Sequence, residues 1–450
     1  MSSISFNTAS ATTPISTSAG AGFDVQTMVQ EAIAADSGPL TQMQNEQTTL
    51  QGQAAALNTI EGELTAFQTS IEALSDPVGA LYSETATSSN PGILTATATS
   101  GAATGNHTIT VNSLATTSSA YSAEFASAST ALATGSFDLQ VGSKPATTIN
   151  VTSSNDTLSG LASSINALNL GVTANVVADA NGSRLTLVSS TSGSAGTITV
   201  SNDSVGMGFT QIAGSDASLT VDGVPISSGS NRVSGVIRGV TLNLLSASPG
   251  TAVSLSIGPD NTQITDAVNS FVSAYNKLIS DVNSQFAINP TTQQAGVLAS
   301  DSSVSMLQEQ LLAMVNTSTT GNSGIVNLAS LGINMQDDGT LQVDTATLDQ
   351  NLSTNAAAVQ NFFQNSSQTG FAQTLNNTLM QMTDPVNGLI PVDINGNTQA
   401  QTTLSGEISD FQDYLNTLQQ SLTAEYSQAD AVLQQLPLLQ SQISQQLAGA

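Results

Sequence analysis

The chain has no cysteine and no tryptophan, and among its 450 residues only five are basic. The absence of cysteine excludes disulfides, thiolate metal sites and cysteine nucleophiles, and it suits any redox compartment. Lys144, Arg184, Arg232, Arg238 and Lys277 all lie in the middle, so residues 1–143 and 278–450 carry no Lys or Arg but hold 25 of the 32 carboxylates. Ends of this kind cannot hold nucleic-acid phosphates or an anionic lipid surface by charge, so neither nucleic acid nor membrane is an expected partner. The longest apolar runs are a few residues, too short for a membrane-spanning helix. The opening MSSISFNTASATTPIS has neither a basic stretch nor a continuous apolar one, so no cleavable secretory signal is expected. Aromatics are also few, with twelve Phe and five Tyr. Several thin domains with small cores are therefore expected rather than one large globule. With 39% hydrophobic and 8% charged residues the chain lacks the composition of acidic disorder.

Catalytic chemistry has little to work with. His107 is the only histidine and falls in an expected strand, so the abundant Ser and Thr have no identifiable base. Asp337-Asp338-Gly339 lacks the alternating Asp/Asn and distal Glu of a calcium loop and reads as a tight turn. The chain has no Gly-Lys-Ser/Thr phosphate loop. No metal, nucleotide or covalent cofactor is expected, and the protein is not read as an enzyme.

What is present is periodicity. Residues 1–22 are small and polar and read as a flexible N-terminus. In residues 23–76 an apolar cluster (Phe23, Val25, Met28, Val29, Ile33) precedes a break at Ser37-Gly38-Pro39. Met43, Leu50, Leu57, Leu64 and Ile71 then recur by sevens, with Ile60, Phe67 and Leu74 three residues after the last three, up to Asp76-Pro77. This is an a/d seam. Residues 404–450 mirror it. Ile408, Leu415, Leu422, Ala429, Leu436 and Ile443 form one series, and Phe411, Leu418, Val432 and Leu439 its companion, with Glu425 the odd member. Pro437 should kink or restart that helix. The flanking positions are mostly Gln (Gln47, Gln68, Gln412, Gln419, Gln440), so register must come from shape, burial and amides rather than Lys–Glu pairs. Copies meeting through such ends would bring carboxylates together without cations, so salt and acid should strengthen their association.

The middle alternates as β. Strands are expected at Leu94–Thr99, His107–Val111, Phe137–Val141, Ile149–Val151, Val172–Val177, Arg184–Val188, Thr197–Val200, Leu219–Val221, Val240–Leu245 and Val253–Ile257. Asn181-Gly182 and Asp222-Gly223 suit type I′ turns. One helix intrudes after Asp156, a candidate N-cap. Helical periodicity returns from Ile264 to Val282 (Phe271, Tyr275 and Leu278 among its stripe). The fold class is therefore α+β: long terminal helices form a coiled-coil-like leg, and β-rich head domains are inserted between them. The expected divisions are residues 77–122 and 201–259 as two parts of one β-rich domain, 123–200 as a second inserted into it, 260–403 as a mainly helical domain packing with the N-terminal helices, and 404–450 as the C-terminal coil.

Several stretches resemble flagellar axial proteins. Gly22-Phe23-Asp24-Val25 is similar to their Ser-Gly-Leu-Asp signature, and Leu158 through Ile165-Asn166 to Leu185 resembles the flagellin "IN" repeat. Phe271-Val272-Ser273-Ala274-Tyr275-Asn276-Lys277-Leu278 is similar to the most recognisable helix of the filament-capping (hook-associated protein 2) family. Leu219–Gly223, Leu331-Gly332-Ile333, Asp338–Leu341 and Phe362-Phe363 continue that family's order. Asp24, Ile165, Asn166, Tyr275, Asn276 and Leu278 are thus its signature positions here. The resemblance implies a secreted, extracellular assembly factor at the distal tip of the filament, exported by the flagellar apparatus. It further implies a small homo-oligomeric ring, a pentamer, whose terminal helices hold filament ends while flagellin inserts. Flagellin, hook–filament junction proteins and a cytoplasmic export chaperone are the implied partners. The alternatives are another axial protein (flagellin or a junction protein) and a secreted adhesin or surface-layer protein. A secreted hydrolase would need a base that the lone His107 does not supply.

Overall fold

The computed structural model describes residues 24–448 except 292, 320 and 321. The N-terminal stretch 1–22 and the signature pair Gly22-Phe23 lie outside the described residues. Asp24 caps the first helix, α1 (Val25–Asp36), its Oδ1 accepting from the amides of Gln26 and Thr27 at 3.1 and 3.2 Å. The chain breaks at Ser37, and α2 (Gly38–Ser75) begins with Pro39 in its first turn, where a missing amide leaves no bond unmade.

The chain divides into two units. One spans Phe67–Asn276 and Val315–Asn377 and, among the described residues, holds all the sheets. Its strands are β1 (Glu84–Ser88), β2 (Leu94–Ala98), β3 (Gly105–Ser113), β4 (Thr117–Tyr121), β5 (Gly135–Val141) and β6 (Thr147–Val151). After α3 (Leu158–Ala167) come β7 (Val172–Ala178), β8 (Ser183–Ser192), β9 (Ile198–Ser201) and β10 (Thr210–Ile212). Then follow β11 (Ala217–Val221), β12 (Val224–Ser228), β13 (Arg232–Ser234), β14 (Val240–Leu244) and β15 (Val253–Pro259). Sheets β1-β15-β3-β11-β12 and β13-β14-β2 share one core around Leu94, Ile109, Val111, Leu219, Leu242 and Leu255. Sheets β10-β4-β8-β7 and β6-β5-β9, with α3, share a second around Phe137, Leu139, Ile149, Leu161, Ile165, Leu185 and Leu187. The second domain is thus threaded between β3 and β11 of the first.

The helices that follow are α4 (Asn261–Phe286) and α5 (Ser302–Val315). A hairpin of β16 (Ile333–Met335) and β17 (Leu341–Val343) leads to α6 (Thr345–Thr354), α7 (Ala356–Phe363), α8 (Phe371–Met382) and α9 (Leu389–Ala448). Although aromatics are few, six gather in a third core of this unit. Phe67 lies 5.6 Å from both Phe271 and Tyr275, while Phe371 meets Phe271, Phe362 and Phe363 at 6.0, 5.3 and 6.1 Å. On α7, Gln364 is buried just past the helix end and donates to the carbonyls of Leu74 and Asp76, both at 2.8 Å, so the end of α2 keeps its hydrogen bonds.

Three local expectations are corrected. Asp222-Gly223 does form the β11–β12 turn with φ of 52° and 82°, but Asn181-Gly182 has no positive φ. There Asp179 closes a four-residue connection by accepting from the amides of Asn181 and Gly182 at 2.7 and 3.1 Å. The cap of α3 is Thr157 rather than Asp156; its hydroxyl accepts from Gly160 at 3.1 Å. Finally, no fresh helix starts at Pro437, since α9 continues through it. Proline frees the carbonyl four residues earlier, at Leu433, and that part of the helix is exposed, so water can take the lost bond.

Candidate functional site: the terminal helices

The second unit comprises Met1–Ala66, Lys277–Met314 and Thr378–Ala450. In it α1 and the first part of α2 lie against α9. Val29, Ile33, Leu40, Leu404, Ile408 and Leu415 are buried together, and Val25, Met43, Leu50, Phe411, Leu418, Leu422 and Tyr426 pack half-buried around them. Gln401 Nε2 donates to the Leu50 carbonyl at 3.4 Å and Asn397 Nδ2 to Gln53 Oε1 at 3.5 Å. As α2 advances from 50 to 53 its partner retreats from 401 to 397, so the two helices run antiparallel. Gln53 also donates to the Val297 carbonyl at 3.3 Å, and Gln401 to Asn397 Oδ1 at 2.6 Å. Amides thus hold the register in a region without ion pairs between α2 and α9.

The heptad residues separate into three groups. Leu57, Ile60, Leu64, Phe67 and Ile71 are fully enclosed. Leu50, Ile408, Phe411, Leu415, Leu418 and Leu422 belong to the α1–α2–α9 cluster. Leu436 and Ile443 are 51% and 55% exposed. They do not stand alone, because Val432, Leu433, Leu438, Leu439 and Leu447 are uncovered on the same stretch. Residues 431–448 contain no charged side chain at all. A helix of this composition, apolar and uncharged yet open to solvent, has the features of a contact surface.

Of the signature positions, Asp24, Asn166 and Asn276 make local joints and Ile165, Tyr275 and Leu278 lie in the core. Asp24 is the α1 cap, and its bonds from the Thr27 hydroxyl and amide hold its carboxyl below the usual range. Ile165, Tyr275 and Leu278 are fully buried. Asn166 accepts from the Ala174 amide and donates to the Ala174 carbonyl, both at 2.8 Å, tying α3 to β7. Asn276 does the same to Leu341, at 2.6 and 2.7 Å, tying α4 to β17.

Sequence reasoning missed a charged cluster in the helical unit. Glu63 on α2 is only 7% exposed, and its Oε1 accepts from Lys277 Nζ on α4. Lys277 also reaches Asp281, one turn on, at 3.3 Å. Lys277 is the only basic residue in this unit's sequence. Spacing links Lys277 to Asp281 on one helix, but no sequence pattern links either to Glu63. Elsewhere His107 Nδ1 meets Asp222 Oδ2 at 2.7 Å beside the β11–β12 turn, and Asp338 accepts from the Thr340 amide at 2.9 Å in the β16–β17 turn. Among the described residues no cluster of His, Asp and Glu has the make-up of a metal site, and no helix is long and apolar enough to cross a membrane.

Comparison with known proteins agrees with this architecture. Sequence profiles of the flagellar hook-associated protein 2 N-terminus and C-terminus match residues 21–118 and 214–437, and that of the flagellin hook IN motif matches 136–191. The B-type flagellar hook-associated protein 2 of Pseudomonas aeruginosa is 31% identical over 344 residues, 68% of this chain and 70% of that one. The Escherichia coli K12 flagellar hook-associated protein 2 is 28% identical over 456 residues, covering 95% and 96%. The crystal structure of the D1-D2-D3 domains of the flagellar cap protein FliD from Escherichia coli superposes with a TM-score of 0.62 at 29% identity, over 76% of this chain and 99% of that one. The chain belongs to the flagellar hook-associated protein 2 family.

Proposed function

We propose that this protein caps the growing tip of the bacterial flagellar filament and promotes the insertion of flagellin there, working as an extracellular structural assembly factor and not as an enzyme. Family membership and the likeness to the flagellar cap protein of Escherichia coli support this reading. The observation that carries it is the far part of α9, where Val432, Leu436, Leu439 and Ile443 stand open on an uncharged helix. An apolar stripe of this length gains by burial against other helices. Its partners in this account are further copies of the chain, in a ring of five, together with the helical ends of flagellin and of the hook–filament junction proteins. Before export a cytoplasmic chaperone covers the same stripe. Energy for each step comes from burial of incoming flagellin.

The test is a deletion strain of the source bacterium, scored for swimming and for filament length by electron microscopy. Short or absent filaments, with unpolymerised flagellin in the medium, are expected. The full chain should restore them and a chain lacking residues 404–450 should not. Filaments of normal length in the deletion strain contradict the proposal.

A further inference from the structure

Glu63 is the most enclosed carboxylate of the helical unit, and its surroundings are incomplete. Its Oε1 takes the Lys277 ammonium, while Oε2 is shut off from solvent and has no hydrogen-bond partner. A buried ionised oxygen without a donor is costly. Asp281, the second carboxylate of the cluster, is near enough for a hydrogen bond between the two side chains, and neither carboxylate can donate it unless one is protonated. What the site lacks is therefore a proton.

We propose that Glu63, Asp281 and Lys277 form a proton-operated latch between α2 and α4: one proton shared by the two carboxylates closes it, and loss of that proton opens it. In the closed state Glu63 accepts from Lys277 through Oε1, and the shared proton relieves the enclosed Oε2 by letting the two carboxylates bond to each other. In the open state two negative charges face one cation, one of them in a dry site. The reaction is a simple protonation: a proton from water binds one carboxylate oxygen, the pair gains one positive charge, and no other bond changes.

The electrostatics fit. Burial, and then the neighbouring Asp281, push the Glu63 carboxyl up to about 7 against the opposing pull of Lys277, while the bond from Glu63 holds Asp281 below the usual carboxylate range. Lys277 and Asp281, both on α4, are the charged groups that act on Glu63, and among the described residues none on another helix of the unit contributes. Lys277 itself is held above its usual value by Glu63 and then Asp281, so it keeps its charge throughout. Because the folded carboxyl titrates above the unfolded value of 4.5, the stabilisation is complete below 4.5 and is lost as pH rises through about 7. No sequence pattern suggests this: Glu63 and Lys277 are 214 residues apart in the chain.

The latch is independent of what the helical unit binds, so its test does not depend on the capping proposal. The measurement is hydrogen–deuterium exchange of the purified full chain at pH 5.5 and 8.5, corrected for the intrinsic pH dependence of exchange. It follows peptides from residues 57–66 of α2 and 277–286 of α4. In the native chain protection of both should fall by about tenfold or more from the lower to the higher pH. Glu63→Gln should keep high protection at both pH values. Asp281→Asn leaves the buried position untouched and should move the midpoint of the loss to lower pH. Glu46→Gln, an exposed change on the same helix, should behave like the native chain. Equal protection of the native chain at both pH values overturns the proposal. So does an unchanged midpoint in Asp281→Asn, which keeps the test decisive even if Glu63→Gln does not fold.

Discussion

The side-chain amide of Asn276 satisfies both backbone groups of Leu341, accepting from its N–H at 2.6 Å and donating to its carbonyl at 2.7 Å. A helix is thereby paired to a strand as if it were the next strand of the sheet. Asn166 repeats the device on Ala174, and Asn231 on Ala115 at 2.7 and 3.0 Å. Only a planar amide with one donor and one acceptor side can do this.

Asn276→Ala should therefore cost about 2–3 kcal/mol, because two half-buried backbone groups lose their partners at once. Asn166→Ala, at a more exposed joint, should cost about 1 kcal/mol. Urea unfolding of each variant checks this. Equal and negligible costs would mean that the joints are incidental.

Tyr275, beside Asn276, makes an opposite prediction. Its ring is fully buried against Phe67, but its hydroxyl has no hydrogen-bond partner and burial raises its pKa. Removing an unsatisfied buried hydroxyl is neutral or favourable, so Tyr275→Phe should match the native stability or exceed it by up to about 1 kcal/mol. Tyr275→Ala, which leaves a cavity, should cost about 3–5 kcal/mol. Thermal unfolding of the pair decides it, and a destabilised Tyr275→Phe would mean that the hydroxyl has a partner.

How much of this was legible beforehand depended on which side of the chain carried the pattern. The seams of α2 and α9 were readable because large apolar residues recur by sevens, and the ten expected strands fell on β2, β3, β5 to β9, β11, β14 and β15. The strands that escaped notice are either only three residues long (β10, β13, β16, β17) or rich in Ser and Thr (β1, β4, β12). In β4 (TSSAY) the inward position Ser118 is fully buried, its hydroxyl donating to the Ile212 carbonyl at 2.8 Å and accepting from the Ile198 amide at 2.9 Å. A serine satisfied in this way does the work of an apolar residue, and alternation of hydrophobicity cannot reveal it. Pairing was equally hidden. The heptads gave no sign that Leu57 and Leu64 would be enclosed while Leu436 and Ile443, in the same pattern, would stand open, since burial depends on what lies opposite. The Glu63–Lys277 contact was invisible for the same reason.

That difference separates stability from assembly. Leu64→Ala should cost about 3 kcal/mol in a monomer unfolding measurement. The double change Leu436→Gln and Ile443→Gln should leave that stability within about 0.5 kcal/mol, since both side chains are exposed. The same double variant should sediment as a smaller species than the native chain at equal concentration. A native assembly from the double variant would place the contact surface elsewhere.

Acid should act on the fold with two signs. Asp24, Asp222 and Asp344 are held below 3.8 by the groups that bond to them, chiefly Thr27, His107 and Thr347 respectively. Their contributions are complete above 3.8 and fade as pH falls through their lowered values. Glu63 contributes oppositely, gaining as pH falls from about 7 toward 4.5. The unfolding midpoint should therefore be highest in the mildly acidic range between these windows, helped by relief of the formal charge of −27. A midpoint that peaks at pH 7 or above would contradict this.

The most direct measurement of the central claim is electron microscopy of isolated, uncapped flagellar filaments incubated with the purified full chain. A cap requires density at one end only, the distal one, and resumed growth from that end when flagellin monomer is supplied. The double variant at Leu436 and Ile443 should give neither. Native chain found along filament sides, or absent from the tips while growth proceeds equally without it, would contradict the account.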